Sequence, residues 1–309
     1  MTSGDRVVVA LDVGGTGMKC ALVRPDGTTA HAERHATETA RGPAAVVDTI
    51  LDVAEGLAGK ALVAGLTPTA CGIVVPGVVD EARGVAVWSA NVGFRDVPLR
   101  ELARARLGLP AALGHDVRAG GLAEARLGAG RDGGHVLFVA IGTGIAAAHV
   151  VRGSAAAGAH GAAGEIGHIL VRPDGPRCGC GRPGCLEAVA SASAIGRRYA
   201  ELAGVPVTAA EVADRAAAGE PLAGRVWREA VEALADGLAT GQALYDVETI
   251  VVGGGLAQAG PQLFDPLRAA LRARLTFHRE PRLVAAALGD EAGCLGAALL
   301  ALDDTGDGN

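Results

Sequence analysis

Apolar residues arrive along this chain in short bursts separated by glycine turns. Val7-Val8-Val9-Ala10-Leu11-Asp12 runs into Gly14-Gly15-Thr16-Gly17 and then Met18-Lys19-Cys20-Ala21-Leu22-Val23, which predicts strand, tight turn and returning strand. Arg24-Pro25-Asp26-Gly27 reads as a second turn. Between Pro43 and Leu57 the period changes, with Val46, Val47, Ile50, Leu51, Ala54 and Leu57 at helical spacing. Cys71 to Val79 reads as a buried strand broken by Pro76-Gly77. Pro110 to Leu113 is strand-like and gives way to a helix over Asp116 to Leu127.

The opening pattern then recurs: Val136 to Ile141, the turn Gly142-Thr143-Gly144, and Ile145 to Val151. A repeated strand, glycine turn and strand predicts two related halves with a boundary near residue 117. Ser191 to Tyr245 reads as helix-rich, Thr249 to Gly255 as a strand running into a glycine loop, and Ala292 to Leu302 as a helix. The polar tail Asp303 to Asn309 is expected to be disordered.

A chain of 309 residues suits two domains, and 50% hydrophobic against 20% charged residues supports real cores and excludes wholesale disorder. The formal net charge of −6 argues against non-specific nucleic-acid binding, which needs a basic surface. The first residues lack the basic and apolar regions of a signal peptide, and no apolar run reaches the roughly 18 residues of a membrane span. The expectation is a soluble cytoplasmic protein with no membrane partner. Cys20, Cys71 and Cys294 stand alone in apolar surroundings and read as small buried hydrophobes. Cys178, Cys180 and Cys185 crowd one short loop, which in a reducing compartment reads as metal before disulfide.

Glycine loops after strands let backbone N–H groups approach phosphate oxygens. Three such loops, Gly14-Gly15-Thr16-Gly17, Gly142-Thr143-Gly144 and Gly253-Gly254-Gly255, favour nucleotide binding over three plain turns. None continues as Gly-Lys-Ser or Gly-Lys-Thr, so none is a Walker A loop. Gly142-Thr143-Gly144-Ile145-Ala146-Ala147 fits the dinucleotide fingerprint, with Glu165 as its acidic residue. That fingerprint requires a helix after the turn, whereas Gly153 cuts the segment short and favours a returning strand.

These residues resemble the repressor/ORF/kinase (ROK) group of sugar kinases and sugar-responsive repressors, from Asp12 to Ala298. Asp12-Val13-Gly14-Gly15-Thr16-x-x-Lys19 is similar to the family's first phosphate loop, and Pro76-Gly77-x-x-Asp80 to its turn near the sugar. Asn91, followed by Phe94 and Pro98-Leu99, resembles its sugar-binding segment. The most specific matches are Gly161-Ala162-Ala163-Gly164-Glu165-Ile166-Gly167-His168 and Cys178-Gly-Cys180-Gly-x-x-Gly-Cys185-x-Glu187. Val252-Gly253-Gly254-Gly255-Leu256 resembles the adenosine-side loop. The resemblance implies a two-lobed α/β actin/hexokinase-like ATPase fold of duplicated ribonuclease H-like domains, closing over ATP and a sugar. Residues 1–117 would form the smaller lobe, with a C-terminal helix at about 291–303 packing on it, and 118–290 the larger one. Repressor members carry a winged DNA-binding domain before the first loop; with eleven residues ahead of Asp12, none is expected here.

The resemblance puts Asp116 at the family's catalytic base, and a helix N-cap is the alternative role for the same carboxylate. Asn91, His115, Asp116, Glu165, His168 and Glu187 look like sugar ligands; Asp12, Gly14, Gly15, Thr16, Lys19, Gly142, Thr143, Gly144, Gly253, Gly254 and Gly255 look like nucleotide contacts. Glu165 and His168 lie three apart, so a helical or turn backbone presents both to one side. The C-x-C-x₄-C spacing offers three thiolates to one ion, and His168 completes a Cys₃His structural zinc set. On this reading His168 serves metal and sugar through its two ring nitrogens. Mg²⁺ should accompany ATP, and the family implies a homodimer. Three features depart from the family: His115 where Asn is usual, Arg118 where a small or amide residue is usual, and Ala146 and Ala147 where glycines are common. The expected activity is ATP-dependent phosphorylation of a hexose, glucose first. The alternatives are N-acetylmannosamine, N-acetylglucosamine, fructose or allose as substrate, a weakly catalytic sugar sensor, or an NAD-binding oxidoreductase.

Overall fold

The computed structural model describes residues 5–306. The first residues, read above for a leader, and the last three of the polar tail lie outside that range.

β1 (Arg6–Val13) and β2 (Gly17–Val23) pair antiparallel across the first glycine turn, setting Asp12 opposite Lys19. β3 (Thr29–Ala36) adds antiparallel to β2. α1 (Pro43–Val63) starts on a proline, whose missing N–H costs nothing in the first turn. β4 (Thr67–Val75) runs parallel to β1. β5 (Val78–Asp80), β6 (Val85–Trp88) and β7 (Arg95–Val97) form a small separate sheet. After α2 (Leu99–Leu107), β8 (Ala111–His115) joins β4 in parallel and passes directly into α3 (Asp116–Arg126). The main sheet has the order β3-β2-β1-β4-β8. Val7, Val9, Leu11 and Val13 bury one face of β1 in a core with Val46, Ile50, Ala54 and Leu57 of α1. Burying each large aliphatic side chain contributes about 1.5–3 kcal/mol before entropy is counted.

The second sheet repeats this plan. β9 (His135–Ile141) and β10 (Ile145–Val151) pair antiparallel across the second glycine turn, so the segment after Gly144 is a returning strand and no dinucleotide helix follows. β11 (Ser154–Ala155) pairs beside β10 at the sheet's edge. The helices α4 (Leu186–Ala190), α5 (Ala192–Ala203), α6 (Ala209–Ala217) and α7 (Pro221–Tyr245) follow. β12 (Thr249–Gly253) then runs parallel to β9; after α8 (Pro261–Arg272), β13 (Arg282–Ala285) runs parallel to β12. The order β11-β10-β9-β12-β13 matches the first sheet position for position. Leu137, Val139 and Ile141 share its core with Leu186, Val226, Ala230 and Leu234.

α9 (Ala292–Thr305) returns to the first sheet and packs on β1, β4, β8 and α3. A Cβ at Gly72 would lie 1.9 Å from the Ala297 carbonyl oxygen, so β4 and α9 meet backbone to backbone. Asp303, Asp304 and Thr305 are helical, contrary to the expected disordered tail. Asp303 accepts both terminal N–H groups of Arg126 at 2.8 and 2.7 Å, which extends the helix through the tail's first turn.

Two compact units result. The first holds the described residues up to Leu127, with Ala155–Ala163 and the residues from Asp290 onward; the second holds Gly128–Ser154 and Gly164–Gly289. The first unit therefore runs past residue 117 to include α3, because α3 packs on α9. Among the described residues no helix is long and apolar enough to cross a membrane.

Candidate active site

In the first unit, candidate residues collect at the carboxyl ends of the parallel strands β1, β4 and β8, where α/β sheets hold their ligands. Asp12 lies near the end of β1, and Lys19 Nζ stands 3.9 Å from its Oδ2. Burial pushes the Asp12 carboxyl up to about 6, against the opposing pull of Lys19; the charge of Asp116 adds to the rise. Lys19 is also held by Asp290 at 3.3 Å, and Asp290 in turn by Arg34 at 2.7 Å. The loop is close to Asn91, since a Cβ on Gly15 would sit 3.3 Å from the Asn91 Cβ.

Asp116 is the first residue of α3, and burial raises its pKa. The side chain capping the helix is the preceding one: His115 Nδ1 accepts the Arg118 backbone N–H at 3.4 Å. His115, and not Asp116, thus takes the N-cap role considered above. An Nδ1 that accepts leaves the proton on Nε2, which lies 3.4 Å from Asp116 Oδ1. Burial, reinforced by the Arg118 guanidinium, draws the His115 pKa down to about 4 and keeps the ring neutral at physiological pH.

Behind them a buried arginine pairs with a half-buried glutamate. Arg118 is 3% exposed, and its Nε donates to Glu81 Oε1 at 2.9 Å while Nη2 stands 2.8 Å from the same oxygen. Nη1 donates to the Gly161 carbonyl oxygen at 2.9 Å. Glu81 Oε1 also accepts the His115 backbone N–H at 3.3 Å.

In the second unit the other two glycine loops are neighbours, because β9 and β12 pair in parallel and both end there. Gly254, at φ 80°, presses so close that a Cβ would lie 2.4 Å from the Ile141 carbonyl oxygen. Glu187, at the start of α4, accepts the Ile145 N–H through Oε2 at 3.0 Å, directly under the Gly142-Thr143-Gly144 turn. A cavity of about 310 Å³ adjoins Gly255, lined among others by Ala209, Ala213, Leu256, Gln258 and Gln262.

Glu165 precedes a single 3₁₀ turn, Ile166–His168, so both side chains leave the same side as their spacing predicts. His168 Nε2 stands 3.7 Å from Glu165 Oε2, and His168 Nδ1 stands 3.5 Å from Cys178 Sγ. The ring faces a carboxylate with one nitrogen and a thiol with the other. Cys180 and Cys185 sulfurs are 3.6 Å apart, and all four donor atoms fall within 4.8 Å of one another. A tetrahedral zinc with standard bond lengths has S···S edges of about 3.8 Å and S···N edges of about 3.6 Å. The donor set therefore fits zinc in chemistry and in size. Hydrogen bonds from Arg182 bring the Cys180 thiol down to about 6, whereas burial raises Cys178 and pushes Cys185 up to about 12.

The ROK family model matches residues 8–304, nearly the whole chain. The chain belongs to the ROK family. Among ROK relatives, a glucokinase from Thermotoga maritima is 34% identical over 312 residues, covering 94% of this chain and 96% of that protein. An N-acetylmannosamine kinase from Yersinia pseudotuberculosis is also 34% identical, over 299 residues, covering 95% and 97%. The crystal structure of a ROK family glucokinase from Streptomyces griseus, in complex with glucose and AMPPNP, superposes with a TM-score of 0.80 at 30% identity, covering 96% of this chain and 99% of that one. The ROK membership brings with it the two-lobed actin/hexokinase-like α/β architecture whose duplicated sheets are described above.

Three groups at this candidate site carry no local sequence signal. Glu81 and Asp290 reach Arg118 and Lys19 from 37 and 271 positions away, and the small residues of the cavity beside Gly255 come from separate helices.

Proposed function

We propose that this chain transfers the γ-phosphoryl group of ATP to a hydroxyl of a hexose, with glucose the first substrate. The observation that carries the reading is the register of the first sheet: Asp12 and Gly114 pair with the same residue of β4, Val74, so a phosphate-loop carboxylate on β1 and the Asp116 carboxylate just after β8 stand at the same end of the sheet. Phosphoryl transfer needs both functions together.

Asp116 accepts the hydroxyl proton as the sugar oxygen bonds to the γ-phosphorus, and the bond to the bridging oxygen breaks to release ADP. Its raised pKa suits it to hold that proton. Lys19 and the backbone of Gly14, Gly15 and Thr16 face the phosphates in one unit. Gly142, Thr143 and Gly144 do so in the other, with Gly253, Gly254 and Gly255 toward the adenosine. Asp12 is the carboxylate available to the Mg²⁺ that accompanies ATP and offsets its charge. Asn91, His115, Glu165, His168 and Glu187 supply donors and acceptors to the sugar hydroxyls. Cys178, Cys180, Cys185 and His168 Nδ1 would hold a structural zinc, which fixes the His168 ring so that Nε2 is left for the sugar. Location in the cytoplasm and assembly as a homodimer belong to the same proposal.

The N-acetylmannosamine kinase relative shares the same 34% identity over a slightly shorter stretch, so an N-acetylated hexose is the second substrate to try. The test is ADP release by purified protein with Mg²⁺ and ATP, across a panel including glucose and N-acetylmannosamine. Asp116→Asn, which cannot take the proton, should lower kcat roughly 10²–10⁴-fold. No sugar-dependent ADP release from the wild-type protein would refute the reading.

A further inference from the structure

The pair of buried Arg118 and half-buried Glu81 ties together three segments that the sequence keeps far apart. One is the β8–α3 junction, which carries His115 and Asp116. The second is the turn after β5, where Glu81 follows Asp80. The third is the segment Ala155–Ala163, which leads into Glu165 and is met by Arg118 Nη1 at the Gly161 carbonyl. Gly161 is itself pressed against β5, since a Cβ there would lie 2.4 Å from the Val79 carbonyl oxygen. A guanidinium can serve all of this at once because its planar fork offers several donors in fixed directions, which an ammonium cannot. Glu81 Oε1 receives the Arg118 Nε–H and, more weakly, the His115 backbone N–H, so one carboxylate oxygen links the ends of both halves of the tie.

An ion pair, whether exposed or buried, is poor evidence for stability: solvent screens the one, and apolar residues of similar volume often replace the other. Its residues must therefore be explained by what they hold in place. We propose that Arg118 and Glu81 are positioning residues for the sugar: they fix Asp116 and the Gly161 segment in the arrangement that phosphoryl transfer requires. This rests on the sugar-kinase reading above. Neither residue needs to touch the substrate.

The test compares Arg118→Met with the double variant Arg118→Met/Glu81→Met. The single variant leaves the half-buried Glu81 without its partner and should lower both the thermal midpoint and kcat/KM for the sugar, the latter roughly 10–100-fold, the scale of small misplacements in a site. In the double variant no charge is orphaned, so the midpoint should recover. The sugar kcat/KM should stay depressed, with KM for ATP essentially unchanged and calorimetric sugar affinity reduced. Arg118→Lys, which keeps the charge without the fork, should also fail to restore the sugar kcat/KM. Recovery of sugar kcat/KM along with stability in the double variant, or full activity in Arg118→Lys, overturns the proposal. A wild-type protein that turns over no sugar in the same assay refutes the kinase reading instead, and the sugar-binding calorimetry then decides whether the pair positions a binding site.

Discussion

Glu187 Oε2 receives the backbone N–H of Ile145 at 3.0 Å, and this bond ties α4 to the turn joining β9 and β10. The carboxylate that follows the cysteine loop thereby supports the backbone of a glycine turn proposed to face phosphate. The arrangement leaves no room beside it: a Cβ on Gly144 would lie 2.6 Å from the same oxygen.

Gly144→Ala should consequently push Glu187 aside or distort the turn. Overpacking of this kind costs about 1–3 kcal/mol. The expected result is a lower thermal midpoint together with a raised KM for ATP. Calorimetry and steady-state kinetics measure the two effects, and an unchanged KM for ATP would count against a phosphate role for this turn.

Zinc content gives an independent check. The protein should purify with about one zinc per chain, and Cys180→Ala should lose it, because three donors no longer close the tetrahedron. Sugar affinity should fall at least about tenfold through the freed His168 ring, while ATP affinity changes less. Elemental analysis and calorimetry read both quantities. Metal-free protein with full sugar affinity contradicts the assignment.

Asp12 predicts an exchange of stability for function. Its folded pKa of about 6 exceeds the 3.8 of an unperturbed carboxyl, chiefly through burial. Between those two values the folded chain binds the proton more tightly than the unfolded one, so this group favours the fold on acidification and opposes it above pH 6. The opposition at neutral pH is about 3 kcal/mol. Asp12→Asn should raise unfolding free energy at pH 7.5 by about 1–3 kcal/mol, allowing for the lost Lys19 partner, and flatten the pH dependence between pH 4 and 6. Activity should collapse at the same time. Urea titrations at pH 5 and 7.5 test this, and a variant less stable than wild type at pH 7.5 would sink it.

How much of this could be read from residues alone depended on how local the cause was. The β1–β2 and β9–β10 hairpins were legible because apolar runs flank their glycine turns within a few residues, and the cysteine cluster because its three thiols share one loop. β3 was not. Thr29–Ala36 alternates alanine with His, Glu and Arg, so as an outer strand it shows no strong apolar face. The helix start at His115–Asp116 is legible, but the sequence considers only Asp116 for the cap, as the alternative to its role as base, and the cap is His115. Both side chains can accept an N–H, and only the extended backbone of His115 (φ −85°, ψ 135°) decides it. The Arg118–Glu81 tie was illegible for a different reason: the odd arginine was visible, but its partner is set by the tertiary fold.

His115 supports the last prediction. The resemblance places it among the sugar ligands, and in this structure its Nδ1 caps α3 and its Nε2 stands 3.4 Å from Asp116 Oδ1. An asparagine carbonyl caps a helix well, so His115→Asn should preserve the Arg118 N–H bond and change stability by no more than about 1 kcal/mol. What asparagine's shorter side chain loses is the imidazole N–H beside the proposed base. With that donor gone, the Asp116 carboxylate is less stabilised, so its pKa should rise further and the acidic limb of the kcat/KM profile should move to higher pH. Asparagine also offers an amide to a hydroxyl that the ring does not reach in the same way. A buried polar group matched to one sugar discriminates strongly when the match is lost, so the ranking across the hexose panel should shift, with glucose gaining. The two effects separate by measurement. A moved acidic limb with an unchanged sugar ranking assigns His115 to orienting the base. A changed ranking with an unmoved limb assigns it to the sugar, and no change in either shows that the ring serves only as the cap of α3.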